Sequence, residues 1–358
     1  MRIYIIFDIL LMAVIVGYFS YFSYRFIEYN FNRKPSITMC YLMVFLVSVI
    51  FFSIHLRIQY HALFFIQILF CALFLEILYL TSKKFPVFKK FHGSGLIMII
   101  LMISLAIYDD LQLIKIKQVT YHLESEKIDS LKILQITDLH VADAIETKQI
   151  QVFCEQVNTL DIDIVFLTGD IFEEKTTYNQ IQEVAAMLGT INNKLGIYYV
   201  FGNHDNRTIE DGLDFTSEDI KQAFENNKIH VLDDEVIDLG DVSIIGRKNI
   251  GLNRKRKRES TESLLTTLNT EDYLIVLDHQ PIDLEENAKV GIDLQLSGHT
   301  HGGEMYPLEY VESFFTGNIV YGKKEINQFT AIDSSGVSFS KRTGAPNEYT
   351  YIIINPSN

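Results

Sequence analysis

The 358-residue sequence has no tryptophan and only three cysteines, Cys40, Cys71 and Cys154. Three thiols cannot build a disulfide framework or line a cysteine-based zinc module. Positive charge is also in deficit: 31 Lys and Arg stand against 45 Asp and Glu, a net charge of −14. That excludes general nucleic-acid binding, which needs a basic surface. Internal repeats and low-complexity tracts are absent. What the chain has in quantity is apolar: 48% of residues are hydrophobic and 12% aromatic. Such a composition excludes a mainly disordered chain, and the length leaves room for two or three domains.

The charge is unevenly divided. Residues 1–108 hold nine Lys and Arg against three Asp and Glu, and the remaining 250 hold 22 against 42. The first third is basic and apolar and the rest is acidic, which predicts a membrane region at 1–113 and a soluble domain at 114–358. Three apolar runs, Ile3–Tyr24, Ile37–Ile54 and Tyr60–Leu80, are near the length of about 20 residues that a helix needs to cross a bilayer. A fourth run, Gly95–Tyr108, is shorter. Each alone could be a buried core helix; four in tandem predict about four transmembrane helices, since period-2 alternation is missing. No small-x-small cleavage site follows the first run, so it does not read as a signal peptide. Asp8 and Glu76 read as interfacial residues near run ends. Loops rich in Lys and Arg stay inside. Arg25, Arg33 and Lys34 follow the first run, and Lys83, Lys84, Lys89 and Lys90 follow the third, against Arg57 alone after the second. With four spans, this multi-pass cell-membrane protein carries its soluble domain on the extracytoplasmic side; without the fourth span, the domain stays inside.

From about Ile114 short β-rich runs alternate with amphipathic stretches. Strands are predicted at Leu131–Ile136, Ile162–Thr168, Gly196–Phe201, Tyr273–Leu277 and Ile292–Leu296. Helices are predicted at Ala144–Leu160, Tyr178–Thr190 and Ser217–Asn226, the last opened by Ser217 as N-cap. A hairpin is expected over Val236–Ile245. After His301 come strand-like runs at Asn318–Tyr321, Phe329–Ile332, Val337–Ser340 and Tyr349–Ile354. Strands alternate with helices early and follow one another late, which predicts a layered α/β domain with sheets inside and helices outside.

Five polar clusters fall at the ends of predicted strands: Thr137-Asp-Leu-His140, Thr168-Gly-Asp170, Gly202-Asn-His-Asp205, Leu277-Asp-His279 and Gly298-His-Thr-His301. Loops at C-terminal strand ends line the ligand crevice of layered α/β folds. Any one cluster alone is more often a turn or a surface contact. Together they hold five of the ten histidines, besides Asp and Asn, on converging loops. That is the donor set of a metal preferring nitrogen and oxygen. Two metals about 3.5–4 Å apart can share a carboxylate and clamp a phosphoryl group.

The order Asp-x-His, Gly-Asp, Gly-Asn-His-Asp, a lone His and Gly-His-Thr-His resembles the calcineurin-like metallophosphoesterases, over about Lys132 to Ile354. Gly298-His-Thr-His-Gly-Gly-Glu304 and the ending Ser335-Gly-Val-Ser … Arg342-x-Gly-x-Pro-Asn-Glu348 resemble the subgroup with N-terminal spans. The resemblance implies a four-layer α/β/β/α sandwich, here preceded by an α-helical transmembrane region, with two divalent metals at its crest. Mn is the first expectation for them, and Fe or Zn the others. By position the first metal takes Asp138, His140, Asp170 and His301, and the second takes Asp170, Asn203, His279 and His299, with Asp170 bridging. His204 would sit beside the phosphate as the catalytic residue, with Asp205 orienting it. Glu304 stands where relatives often carry Gln.

Such a centre implies hydrolysis of a phosphoester or pyrophosphate by a metal-bridging hydroxide, without a covalent phosphoenzyme. The expected partners are a phosphorylated or lipid-linked small molecule and membrane lipids. A pyrophosphatase like those acting on UDP-2,3-diacylglucosamine is one form, and a general phosphodiesterase or phosphatase another. The competing class is a non-catalytic membrane scaffold or sensor that keeps the fold; the intact ligand set argues against it. A basic stretch, Arg247-Lys248 then Arg254-Lys-Arg-Lys-Arg258, reads either as a solvated loop or as a contact for anionic headgroups.

Overall fold

The computed structural model describes residues 2–40, 42, 69, 71–78, 80, 87, 92, 95–113, 116–142, 145–206, 215–251, 257–303, 313, 319–337 and 346–357. The chain divides into two compact units, Met1–Leu111 and Gln112–Asn358.

In the first unit lie α1 (Arg2–Phe31) and α2 (Leu96–Leu113). Phe19, Phe22, Ala72, Leu75 and Met98 form its small apolar core. Glu76, expected as an interfacial residue, has partners within the unit. It accepts from Arg25 at 2.5 Å and faces His92 Nε2 at 3.2 Å, so its charge is met within the unit. Among the described residues no helix is long and apolar enough to cross a membrane. The expected four spans are therefore not borne out there. The side chains of residues 2–15 of α1, with Asp8, and most of the runs Ile37–Ile54 and Tyr60–Leu80 lie outside the described residues.

The second unit is built on two six-stranded sheets. The first has the order β1-β12-β2-β3-β4-β5 and the second β10-β11-β9-β8-β7-β6. In the first sheet β2 (Leu131–Ile136), β3 (Ile164–Leu167), β4 (Ile197–Val200) and β5 (Ile229–Leu232) are mutually parallel. On its far side β12 (Glu348–Pro356) runs antiparallel to β2 and parallel to β1 (Lys117–Ser125). In the second sheet β7 (Val242–Gly246), β8 (Tyr273–Leu277), β9 (Leu294–Ser297) and β11 (Phe329–Asp333) are parallel. They are flanked by antiparallel β6 (Glu235–Asp238) and β10 (Gly322–Ile326).

Strand alternation sorts the side chains into three apolar layers. Ile133, Phe166 and Val200 of the first sheet meet Ile244, Ile275 and Leu296 of the second in one cluster. Their neighbours Leu134, Val165 and Tyr199 face the other way. There they meet Ile150, Val184 and Phe224 of α3 (Thr147–Val157), α4 (Tyr178–Leu188) and α5 (Ser217–Asn226). On the opposite side Ile245, Leu274 and Val276 pack with Leu265 and Leu284 of α6 (Thr261–Leu265) and α7 (Leu284–Lys289). Helices, sheet, sheet and helices thus make four layers. Both faces of the central strands are covered, which is why they read as unbroken apolar runs.

Local chemistry moved several predicted boundaries. α3 begins at Thr147, not Ala144, because Glu146 and Gln149 form a capping box there. The N-cap of α5 is Thr216, whose hydroxyl accepts from Asp219 N; Ser217 instead donates to Asp205 O. Of the strand expected at Asn318–Tyr321, the described residues 319–321 lie outside any strand and β10 begins only at Gly322; Ser338–Ser340 fall outside the described residues. Two members of the basic stretch are neither solvated nor free for headgroups. Arg247 is buried against Thr261 and Glu259 O, and Arg258 pairs with Asp278 and Asp283.

Candidate metal centre

The ends of β2, β3, β4, β8 and β9 carry the five polar clusters, all at the C-terminal edge of a parallel strand. The chain turns abruptly there. Asp138, His140, Asp170, His299 and His301 all have positive φ, between 48° and 74°. Side chains other than Gly, Asn and Asp rarely sit in this region, at a cost on the order of 1–3 kcal/mol each. The surrounding loops must hold them. Two glycines make room: a Cβ on Gly202 would lie 2.1 Å from Asp170 Oδ1, and one on Gly298 would lie 2.3 Å from Asp138 Oδ2.

The donor atoms converge in overlapping groups: Asp138, His140 and His301; His140, Asp170 and His204; Asp170, His279 and His299. His140 Nε2 lies 3.2 Å from His301 Nε2, and each is 3.6 Å from Asp138 Oδ1. Asp170 Oδ2 stands between the groups, 3.1 Å from His279 Nε2 and 4.0 Å from His140 Nε2. Asn203 Oδ1 is 3.2 Å from His279 Nε2. All seven residues expected as ligands are therefore at one crest.

The other atoms of these side chains are tied down. Asp138 Oδ2 accepts from Thr137 Oγ1 and His299 N, and Asp170 Oδ1 accepts from His204 N. His279 Nδ1 donates to Thr168 O at 2.8 Å, so Nε2 is the nitrogen that can offer a lone pair once its proton leaves. A sequence-only reading missed Glu173, almost wholly buried. Its Oε1 is 2.7 Å from His140 Nδ1 and its Oε2 is 3.0 Å from His204 Nδ1. One carboxylate thus fixes two imidazoles, the usual way a ligand histidine is oriented. Its signal was its place three residues after Asp170, masked by an ordinary-looking Glu-Glu pair. Asp205 does not take the orienting role expected of it: its carboxylate accepts from the backbone amides of Ile171, Phe172 and Gly202. It holds the β3 and β4 loops together.

A cation fits this set. Asp138 Oδ1 is buried with no hydrogen-bond partner among the described residues, and it faces two imidazole nitrogens. Such an orphan carboxylate oxygen is costly unless a positive charge meets it. Protons supply that charge in the bare protein. Burial pulls His140 and His279 down, but contacts with Asp138, Glu173 and Asp170 prevail and raise both to about 10. The same histidines hold Asp138 and Asp170 below the ordinary carboxylate range against their burial. His299, buried beside His279, drops to about 4 and keeps its lone pair.

The family model for calcineurin-like phosphoesterases matches residues 131–303, from β2 through the His301 loop. Over that stretch, just under half of its length, the chain is similar to the calcineurin-like phosphoesterases. An uncharacterised metallophosphoesterase of Campylobacter jejuni is 28% identical over 271 residues, covering 74% of this chain and 69% of that one. A Helicobacter pylori metallophosphoesterase, also uncharacterised, is 28% identical over 263 residues, covering 70% and 66%. A Bos taurus protein named as a transmembrane protein with metallophosphoesterase domain is 28% identical over 252 residues, covering 66% and 56%. The chain thus spans from 56% to 69% of the length of these relatives. Among solved structures, the NAD nucleotidase of Haemophilus influenzae aligns with a TM-score of 0.39 at 17% identity, covering 58% of this chain and 46% of that one. The chain is a metal-dependent phosphoester hydrolase.

Proposed function

We propose that this chain is a membrane-anchored dimetal phosphohydrolase that cleaves a phosphoester or pyrophosphate bond of an envelope or lipid-linked substrate. The observation that carries the dimetal part is the position of Asp170 Oδ2 between His140 and His279. Asp138, His140, Asp170 and His301 would hold one cation, and Asp170, Asn203, His279 and His299 the other. Mn²⁺ is the first choice, since the donors are nitrogen and oxygen only. Two bound cations lower the pKa of water and neutralise charge on the phosphoryl oxygens. His204 is the chain's own acid: its side chain is 25% exposed and reachable, and Glu173 on Nδ1 leaves Nε2 to serve the leaving oxygen. The buried carboxylates and histidines need no reorganisation as charge develops.

The lipid-linked part rests on the first unit. Leu73, Phe74, Ile77, Ile100, Ile103 and Ile107 are apolar and more than half exposed, a face suited to acyl chains. The bovine relative's name, with its transmembrane label, supports the same reading. A pyrophosphatase of the UDP-2,3-diacylglucosamine kind and a general phosphodiesterase both fit this description.

The test is a substrate panel on the full chain in detergent with added Mn²⁺: an aryl phosphoester, an aryl phosphodiester, soluble nucleotides and lipid-linked pyrophosphates. Turnover of the lipid-linked members above their soluble headgroups is expected. Two bound metals without turnover of any member would point to a scaffold, and equal turnover of soluble headgroups would remove the lipid.

A further inference from the structure

A buried acid stands behind the last histidine loop. Asp333 ends β11, in register with Ser297, the residue before Gly298. It is fully buried. Its Oδ2 lies 2.6 Å from Thr300 Oγ1, while Oδ1 has no hydrogen-bond partner among the described residues. Thr300 Oγ1 also lies 2.7 Å from Val320 O. Both separations are those of O–H···O hydrogen bonds, and each such bond needs a hydrogen. A threonine hydroxyl carries one. Val320 O is a backbone carbonyl and can only accept, so it takes the hydrogen of Thr300. The second hydrogen must then come from Asp333.

We propose that Asp333 is a positioning residue of the metal centre, held as the neutral acid and donating through Oδ2 to Thr300, so that His299 and His301 keep their opposed directions. Three further observations support this. First, Thr300 is the hinge of a loop whose two flanking histidines both have positive φ, 74° and 50°; such a backbone needs an outside hold. Second, an ionised carboxylate with one bare buried oxygen would be far costlier than a neutral acid. Third, burial, reinforced by the nearby carboxylates of Asp138 and Glu348 and outweighing the opposing Thr300 hydrogen bond and His279 charge, pushes the Asp333 acid well above its ordinary range. The neighbouring turn is braced from the same end. Glu348 accepts from Ser334 Oγ and Ser335 N, and Val337 N donates to Thr137 O. The end of β11 therefore braces the loops carrying Asp138 and the two histidines alike.

The inference rests on the dimetal reading for its consequence, though not for the protonation itself, and the experiment separates the two. Mn²⁺ affinity is measured by titration on full-length variants, with no substrate present. Asp333→Ala removes the donor and is expected to weaken binding on the order of 10–100-fold, as loss of a residue behind a ligand does. Asp333→Asn keeps a neutral N–H donor and should retain the affinity. Thr300→Val should match Asp333→Ala, and the double variant should lose no more than either, because they act as one unit. Apo protein at neutral pH is compared in parallel by infrared difference spectroscopy. The wild type should show a protonated-carboxyl band that Asp333→Asn lacks. If Asn weakens Mn²⁺ as much as Ala, the group acts by charge and the proposal falls. A missing band overturns the neutral acid even if no metal binds. Wild type that binds no Mn²⁺ yet shows the band would instead sink the dimetal reading. Should Asp333→Ala fail to fold, Thr300→Val and Asp333→Asn still decide it.

Discussion

Asp170 is the residue on which most contacts at the crest converge. One oxygen accepts from His204 N, and the other faces imidazoles of both donor groups. Asp170→Asn should therefore abolish binding of both metals and hydrolysis together; elemental analysis that still found two metals per chain would refute the bridging role. His204 differs, because it reaches solvent and is not needed to hold a cation. His204→Ala should keep the metals and lose on the order of 10²–10⁴-fold in rate, less on substrates with good leaving groups. An equal loss on every leaving group would mean that it stabilises charge without donating a proton. Of the residues at this scale, the sequence motifs pointed to all seven expected ligands. They could not point to Glu173, because a pair of glutamates after a strand carries no mark until the fold brings its carboxylate to two imidazoles.

At the scale of elements, the loops depend on room that only glycine leaves. Gly202→Ala would drive a methyl into the Asp170 carboxylate. Overpacking a tight site costs roughly 1–3 kcal/mol, and here the strain falls on a proposed bridging ligand. The variant should lose metal more than it loses fold, shown by a larger drop in Mn²⁺ content than in the melting temperature of the apo form. Helix α5 offers a contrast far from the metals. Thr216→Ala removes the cap of Asp219 N and should destabilise by about 1 kcal/mol, whereas Ser217→Ala should cost less; equal losses in urea unfolding would restore Ser217 as the cap. The sequence reading placed the cap at Ser217, whereas Thr216, one residue earlier, carries a hydroxyl that serves as well. The choice was made when Ser217 turned to Asp205 O.

Across the whole molecule, charge at the crest couples to stability. His140 and His279 rise from 6.5 to about 10 in the bare fold. Their contribution is full below about pH 6.5 and is lost as pH climbs through 10. Asp138 and Asp170 fall below 3.8, so their share is present above that value and is lost in acid. With chelator present, the melting temperature should therefore decline from pH 7 towards 10. Metal binding must expel the histidine protons, so Mn²⁺ affinity should rise over the same window. A chelated protein that grew more stable with rising pH would contradict the charged pairs. Topology is the other prediction at this scale. A reporter fused after Asp110 that is active only in an oxidising compartment should be active. Silence there, with activity in a fusion after Arg57, would move the phosphohydrolase unit inside.

The layered α/β class was legible because central strands covered on both faces must be apolar throughout, and the parallel segments Ile164–Leu167 and Tyr273–Leu277 show that in one dimension. The proposed ligands stood out in the sequence because metal chemistry restricts such residues to a few types at the ends of those strands. What the sequence could not contain was how atoms from distant segments would share hydrogens and charge. Arg258 looked like one cation in a basic run until Asp278 and Asp283 came to it. Asp205, expected to orient His204, went to three backbone amides. Asp333, inconspicuous at the end of a strand, came to lie behind Thr300. Each depends on a contact across layers, and the free energy of a buried polar group is set by its partners in space, not by its neighbours along the chain.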